Sequence, residues 1–320
     1  MSDTNKNLVS IVIPVYNGSK SITKIVTECV KLFINYFELE IILINDCSED
    51  DSYDACLSIQ ERYPTIVTFL SLSRNFGEHN AVMAGLNYSN GDYVVTIDDD
   101  GQNPPQEALK LINYAISKNL DVVYSAYRKK NHHLVRNFYS WLNGKVANLL
   151  LRKPAGLYLS SFRSMSRFIV REIIKYDLPY PYVDGLIIRS TSNIGTLETK
   201  HKRRISGKSG YTFIKLLRLW LNMFTNFSVL PLRIASLVGF AFALLGLLVG
   251  AFTIYERFLN PNLPVGWASI AVLCSILGGV QLMALGMIGE YLGRTFLGMN
   301  REPQFIVHEL RSRKMEKFDK

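Results

Sequence analysis

Tyr93-Val94-Val95-Thr96-Ile97-Asp98-Asp99-Asp100 is a short apolar strand that runs straight into three carboxylates. Carboxylates packed this closely each resist ionising beside the others. A divalent cation relieves that repulsion, and hard cations such as Mg²⁺ take oxygen ligands. In an extended segment Asp98 and Asp100 point the same way, and Asp99 points away from them. Gln102 adds an amide carbonyl two residues further on. The stretch reads as a clamp for a metal-bound phosphate at the carboxyl end of a strand, where open α/β sheets bind ligands. The plain alternative is a solvated acidic turn opening the helix after Asn103-Pro104-Pro105, and the fully apolar lead-in favours the clamp.

Working outward, strands and helices alternate. Leu8–Pro14, Glu40–Asn45, Thr65–Leu72, Tyr93–Ile97 and Asp121–Ser125 are apolar, β-branched runs of strand length. Between them, 19–37 has helical spacing, with Ile22, Ile25, Val26, Cys29, Val30 and Phe33 on one face. Further helices are expected over 53–63, 79–88 and 104–118, the first introduced by Ser48 with Asp51 three residues on. Strands and helices in this rhythm predict an α/β fold with a mostly parallel sheet. From Gly156 to Arg204 the pattern is less regular.

The last third changes character. Ile234–Tyr255 and Val265–Gly289 contain no charged residue. A spanning helix needs about 20 apolar residues, so both qualify. Their outer flanks carry Arg218, Arg233, Arg294, Arg301, Arg311, Arg313 and Lys314, which puts both flanks in the cytoplasm and the short loop outside. Residues 211–228 leave little polar face and fit a helix lying at the membrane surface. The expected organisation is a cytosolic catalytic domain over 1–210 and an interfacial helix over 211–228. A transmembrane hairpin follows over 229–292 (helices about 232–256 and 265–290), then a basic cytosolic tail over 293–320. Glycines at 239, 246, 250, 278, 279 and 286 permit close helix contact, including association between copies. The net charge of +9 calls for an anionic partner, and the apolar segments favour a phosphate-bearing substrate or an anionic membrane over nucleic acid. The four cysteines form no CxxC pair, and the polar N-terminus is not a secretory signal.

In a parallel sheet the strand ends line one crevice. Pro14-Val15-Tyr16-Asn17 follows the first strand, Asn45-Asp46-Cys47-Ser48 the second, Ser73-Arg74-Asn75-Phe76-Gly77 the third and the aspartate run the fourth. Tyr16 can stack on a base and Asp46 can accept from a uracil ring N–H. Either Arg74 or the helix opening near Gly77 can meet phosphate.

In that order, these motifs resemble family 2 glycosyltransferases, whose nucleotide-sugar domain has the GT-A fold. Asp98-Asp99-Asp100 matches the DxD motif of that family. Its continuation through Gly101-Gln102-Asn103-Pro104-Pro105 is similar to the polyprenyl-phosphate glycosyltransferases, relatives of dolichol-phosphate mannose synthase. Pro231-Leu232-Arg233 and Gly289-Glu290-Tyr291-Leu292-Gly293-Arg294 resemble the bacterial two-helix branch acting on undecaprenyl phosphate. The resemblance implies Mg²⁺ or Mn²⁺ on Asp98, Asp100 and Gln102. It implies a nucleotide sugar, with UDP-sugar expected, at Pro14, Tyr16, Asn17, Asp46, Arg74, Asp98, Asp99 and Arg204. Arg204 opens the matching segment Arg204-Ile205-Ser206-Gly207-Lys208-Ser209-Gly210-Tyr211. The acceptor phosphate falls to Arg136 and Ser140, in the RxxxS element Arg136-Asn137-Phe138-Tyr139-Ser140, and to Arg128. The implied reaction is inverting transfer of a sugar to polyprenyl phosphate at the cytosolic face of the bacterial inner membrane.

One departure stands out. Relatives carry an acid just before a Phe-Arg pair, and here the segment is Ser160-Ser161-Phe162-Arg163. Asp184 is a candidate substitute, with Asp100 as the other residue assigned to catalysis. The acceptor phosphate, whose second pKa is about 6, is largely ionised at neutral pH and needs no base. Two alternatives remain: a glycosyltransferase using another lipid acceptor, and a membrane scaffold that keeps the fold without catalysis.

Overall fold

The computed structural model describes residues 6–127, 157–200, 230–259, 266–300 and 302–312. The chain divides into two compact units, Met1–Thr212 with Glu302–Lys320, and Phe213–Arg301. Arg128, Arg136, Ser140, Arg204 and the expected interfacial helix over 211–228 lie outside the described residues.

In the first unit β1 (Leu8–Val15), β2 (Glu38–Asn45), β3 (Val67–Leu72), β4 (Tyr93–Thr96) and β5 (Val122–Tyr127) alternate with α1 (Ser19–Phe33), α2 (Ser52–Arg62), α3 (Glu78–Tyr88) and α4 (Pro105–Lys118). These nine elements match the sequence expectation to within a few residues. Three more strands join them: β6 (Arg163–Ser166), β7 (Ile194–Thr199) and β8 (Val307–Arg311), with short helices α5 (Arg167–Ile173) and α6 (Val183–Ser190) between β6 and β7. The sheet order is β7-β5-β6-β4-β1-β2-β3-β8. β1 pairs parallel with β2 and β4, β2 with β3, and β5 with β7. β6 is antiparallel to both β4 and β5, and β8 is antiparallel to β3. The sheet is therefore mostly parallel, with one reversed strand wedged inside and one at the edge.

Successive side chains of a strand face opposite sides. Val9, Ile11, Ile13 and Val15 of β1 join Ile22, Val26, Cys29 and Phe33 of α1 in one buried cluster. Val12 and Ile44 face the other side, under α3. There Gly85 allows the helix to lie close: a Cβ would stand 2.4 Å from Val12 Cγ1 and 2.7 Å from Ile44 Cδ1.

Two helix boundaries differ from the sequence pattern. α1 stops at Phe33 because the Tyr36 N–H turns back to the Phe33 carbonyl at 2.9 Å, and Phe37 reaches the core from that turn. α2 starts at Ser52, four residues after the expected Ser48 signal. Its N-cap residue is Asp51, and the preceding Asp50 accepts the Ser52 N–H on Oδ1 at 3.1 Å. Oδ2 of the same carboxylate accepts the Ser19 N–H and hydroxyl at 3.2 and 2.7 Å, so one side chain anchors the starts of α1 and α2.

The second unit holds α7 (Leu230–Leu259) and α8 (Trp267–Met299), each longer than expected. Among the described residues one helix, through Ile276–Gly293, is long and apolar enough to cross a membrane. Leu237, Phe240, Leu282, Leu285 and Phe296 are largely exposed. Apolar exposure on this scale marks a surface that is covered by something other than water.

Candidate functional site

Four strand ends are tied to one another by hydrogen bonds. After β1, Tyr16 donates its N–H to Asp99 Oδ2 at 2.9 Å, while the residue stays 45 % exposed. Asn17 adopts φ 58° and exchanges bonds with the turn after β2: its N–H reaches Ser48 Oγ at 3.1 Å, and its Oδ1 accepts the Glu49 N–H at 2.9 Å. The Gly18 N–H donates to Ser52 Oγ at 2.9 Å. A Cβ at Gly18 would come 2.4 Å from Asp99 Oδ2, so a larger residue here would displace the Asp99 carboxylate from the turn. Asp99 thus serves as a buttress for the β1–α1 turn.

Asp46, after β2, is almost fully buried and faces the loop after β3. Its two oxygens accept the N–H groups of Phe76 and Gly77 at 2.7 and 2.8 Å. Gly77 sits at φ 90°, a region open to glycine, and begins α3. The Arg74 guanidinium lies 4.7 Å over the Phe76 ring and 3.9 Å from the Glu302 carboxylate. The Ser73 N–H donates to the Ile306 carbonyl at 3.0 Å. The segment leading into β8 therefore borders the third strand-end loop, a neighbour the sequence did not suggest.

Burial outweighs the two N–H donors on Asp46 and pushes its pKa from 3.8 up to about 6. In the unfolded chain the group ionises near 3.8, whereas in the fold it keeps its proton to about 6. Raising the pH through that window therefore favours the unfolded state, by roughly 1.4 kcal/mol per pH unit and about 3 kcal/mol in all. Asp46→Asn removes this dependence. The stability difference between the variant and the native chain, read from urea unfolding at pH 4 to 7.5, is expected to move in the variant's favour as pH rises. A difference constant across that range would refute the assignment.

At the end of β4 the three aspartates part company. Asp98 Oδ2 accepts from Asn103 Nδ2 at 3.0 Å and from Ser161 Oγ at 2.8 Å. Asp100 Oδ1 accepts the Gln102 N–H at 2.9 Å across a turn in which Gly101 takes φ 74°. Burial lifts the Asp98 pKa to about 7, the Glu78 charge adds to the rise, and the Ser161 hydroxyl opposes it. Among the described residues no three acidic, histidine or cysteine side chains converge as a metal site. The set expected from sequence is two carboxylates and an amide. A desolvated carboxylate crowded by Glu78, Asp99 and Asp100 is an oxygen-rich concentration of negative charge, and its chemistry fits a hard dication.

Asp184 occupies a different setting. It is buried on α6, and its Oδ1 is held by the Tyr124 hydroxyl at 2.9 Å and by the Arg163 guanidinium. Arg163 is itself 2 % exposed. His79 stacks edge-to-face on Tyr182 at 5.3 Å, and burial lowers its pKa, which keeps the ring neutral. Sequence reasoning missed the donors to Asp98, the Arg163 partner of Asp184 and the Asp50 anchor. The Ser161 position was conspicuous only for the acid it lacks.

The profile described as Glycosyl transferase family 2 matches residues 10–174. The chain is 32 % identical over 318 residues to an undecaprenyl-phosphate 4-deoxy-4-formamido-L-arabinose transferase from Pseudomonas aeruginosa, covering 95 % of this chain and 90 % of that protein. It is 32 % identical over 327 residues to the protein of the same name from Aeromonas hydrophila, covering 97 % and 96 %. Among solved structures it resembles mannosyl-3-phosphoglycerate synthase from Rubrobacter xylanophilus, with a TM-score of 0.53 and 18 % identity over 81 % of this chain and 79 % of that one. A complex of glucosyl-3-phosphoglycerate synthase from Mycobacterium tuberculosis with Mn²⁺, UDP and phosphoglyceric acid gives a TM-score of 0.50 and 17 % identity, over 67 % and 74 %. The structural likeness is one of fold.

Proposed function

Since the chain belongs to glycosyl transferase family 2 and is a glycosyltransferase, we propose that it moves a sugar from a nucleotide sugar, UDP-linked, to the phosphate of undecaprenyl phosphate. The observation that carries the reading is the hydrogen-bonded series of strand ends. Tyr16, the Asp46-held loop and the Asp98–Gln102 turn all lie at the carboxyl ends of the parallel strands, where open α/β sheets bind ligands. The near full-length relatives carry the acceptor in their names, which supports the lipid phosphate.

The exposed Tyr16 ring offers a face for the base. Asp98, Asp100 and Gln102 offer oxygen donors to Mg²⁺ or Mn²⁺. When bound, such an ion neutralises the charge that gathers on the departing diphosphate. The acceptor phosphate, already ionised at neutral pH, attacks the anomeric carbon from the face opposite the diphosphate. A carbon–oxygen bond to the lipid phosphate forms, the bond to the nucleotide breaks, UDP leaves with the electron pair, and the configuration inverts. No proton has to be removed, so the serine at 161 is no obstacle. Arg128, Arg136 and Ser140 for the acceptor, and Arg204 for the donor, rest on the family likeness. Asp184 belongs to a buried ion pair with Arg163 in this reading.

The membrane reading draws on the exposed apolar side chains of α7 and α8 and on the lipid carrier in the relatives' names. Both helices cross the bacterial inner membrane, and the catalytic unit lies in the cytosol.

The test is a panel of UDP-sugars, one bearing 4-deoxy-4-formamido-L-arabinose, offered to the purified full chain with Mn²⁺. Release of UDP only after undecaprenyl phosphate is added is the expected result. Release with diacylglycerol instead would move the acceptor, and sugar-nucleotide binding without any release would leave a scaffold.

A further inference from the structure

β4 and β6 pair antiparallel with Thr96 opposite Arg163. Continued two residues past the ladder, that register brings Ser161 opposite Asp98. The approach is fixed from both strands: Thr96 Oγ1 donates to the Ser161 carbonyl, and the Phe162 N–H donates to Ser160 Oγ at 3.2 Å. With its backbone held, Ser161 directs its hydroxyl onto Asp98 Oδ2 at 2.8 Å. Asn103, 1 % exposed and carried on the turn before α4, reaches the same oxygen at 3.0 Å from the other side. Two donors from two elements thus saturate one oxygen of the carboxylate. Among the described residues Oδ1 receives no hydrogen bond.

We propose that Ser161 and Asn103 are positioning residues of the cation site: they pin Oδ2 of Asp98 so that Oδ1 is the oxygen presented to the ion. The proposal rests on the metal reading of the Asp98–Gln102 turn given above. A carboxylate free to rotate spends part of its time with neither oxygen aligned, and partners that orient a metal ligand are worth roughly 10- to 100-fold in metal affinity. The serine also keeps position 161 uncharged.

The experiment titrates Mn²⁺ into full-length protein in detergent at a fixed UDP concentration and follows the free-ion electron paramagnetic resonance signal. No turnover is needed. Ser161→Ala is expected to weaken Mn²⁺ binding about tenfold, and Ser161→Thr, which keeps the hydroxyl, to stay within about threefold of the native chain. Asn103→Ala should match the alanine effect at 161. Thermal midpoints are taken on the same samples, because a purely structural role lowers the midpoint and leaves ion affinity alone. Native affinity in a folded Ser161→Ala protein would overturn the proposal, as would a threonine variant no tighter than alanine. If Ser161→Ala does not fold, Asn103→Ala carries the same requirement and native affinity there is equally fatal. A native chain that binds no Mn²⁺ with UDP present would instead bring down the metal reading itself.

Discussion

Asp100→Ala is expected to lose at least about a thousandfold in kcat/KM for sugar transfer while folding and entering membranes as the native chain does. The size follows from where charge develops. The departing diphosphate gains negative charge in the transition state, and an ion displaced by the loss of a carboxylate ligand no longer offsets it. The intact fold follows from the surroundings. Asp100 sits in a turn beyond the end of β4, where its Oδ1 accepts the Gln102 N–H two residues away. Removing it opens no cavity in the core. The variant should also relieve crowding around Asp98, one of the groups whose charge Asp100 opposes. Transfer assays on purified protein, paired with thermal unfolding, decide the matter. An alanine variant with more than a tenth of native activity would end the claim that this turn holds a catalytic ion.

The second large effect is on stability. Asp184→Ala leaves Arg163, 2 % exposed, without its counter-charge and takes the acceptor from the Tyr124 hydroxyl. Breaking a buried pair from one side costs about 3–5 kcal/mol, because the remaining charge stays desolvated. For a unit of this size each kcal/mol moves the unfolding midpoint by roughly 2–4 °C, so a fall of about 10 °C is expected. Replacing both partners, Arg163→Met with Asp184→Leu, should recover most of it, since apolar residues of similar volume often substitute for an internal ion pair without net loss. The comparison separates two accounts of Asp184. A single variant with a native midpoint and little activity would restore it as a chemical participant, and recovery of the midpoint in the double variant would identify it as a structural pair.

Much of this architecture was legible in the chain, for reasons that also mark where legibility stops. β1 to β5 declare themselves because each is a local apolar run bounded by turn residues, and α1 because its buried face repeats at helical spacing. β6 is four residues long, Arg-Ser-Met-Ser, and it is a strand by virtue of the neighbours on either side. β8, Val-His-Glu-Leu-Arg, looks like part of a charged tail. Its partner β3 lies more than two hundred residues earlier, and no local pattern encodes so distant a pairing. The site divides the same way. The aspartate run was conspicuous, since three adjacent acids after an apolar strand demand compensation. The role of each was not. Asp46 and Asp99 look from sequence like ligand-facing acids at strand ends, and in the fold one also holds the backbone of the loop at Phe76 and the other the turn at Tyr16. A carboxylate accepts from a main-chain N–H or from a bound molecule with the same geometry, and the sequence alone shows neither partner.

The strand Val307–Arg311 carries a consequence of parity. The polypeptide quits the catalytic body after residue 212, runs through the two long helices, and comes home at 302 to be stitched onto β3. A path that departs from and returns to one folded object must pierce any intervening sheet of lipid an even number of times. A lone crossing by Trp267–Met299 is therefore ruled out by connectivity: if that helix crosses, a second segment between 213 and 301 crosses with it.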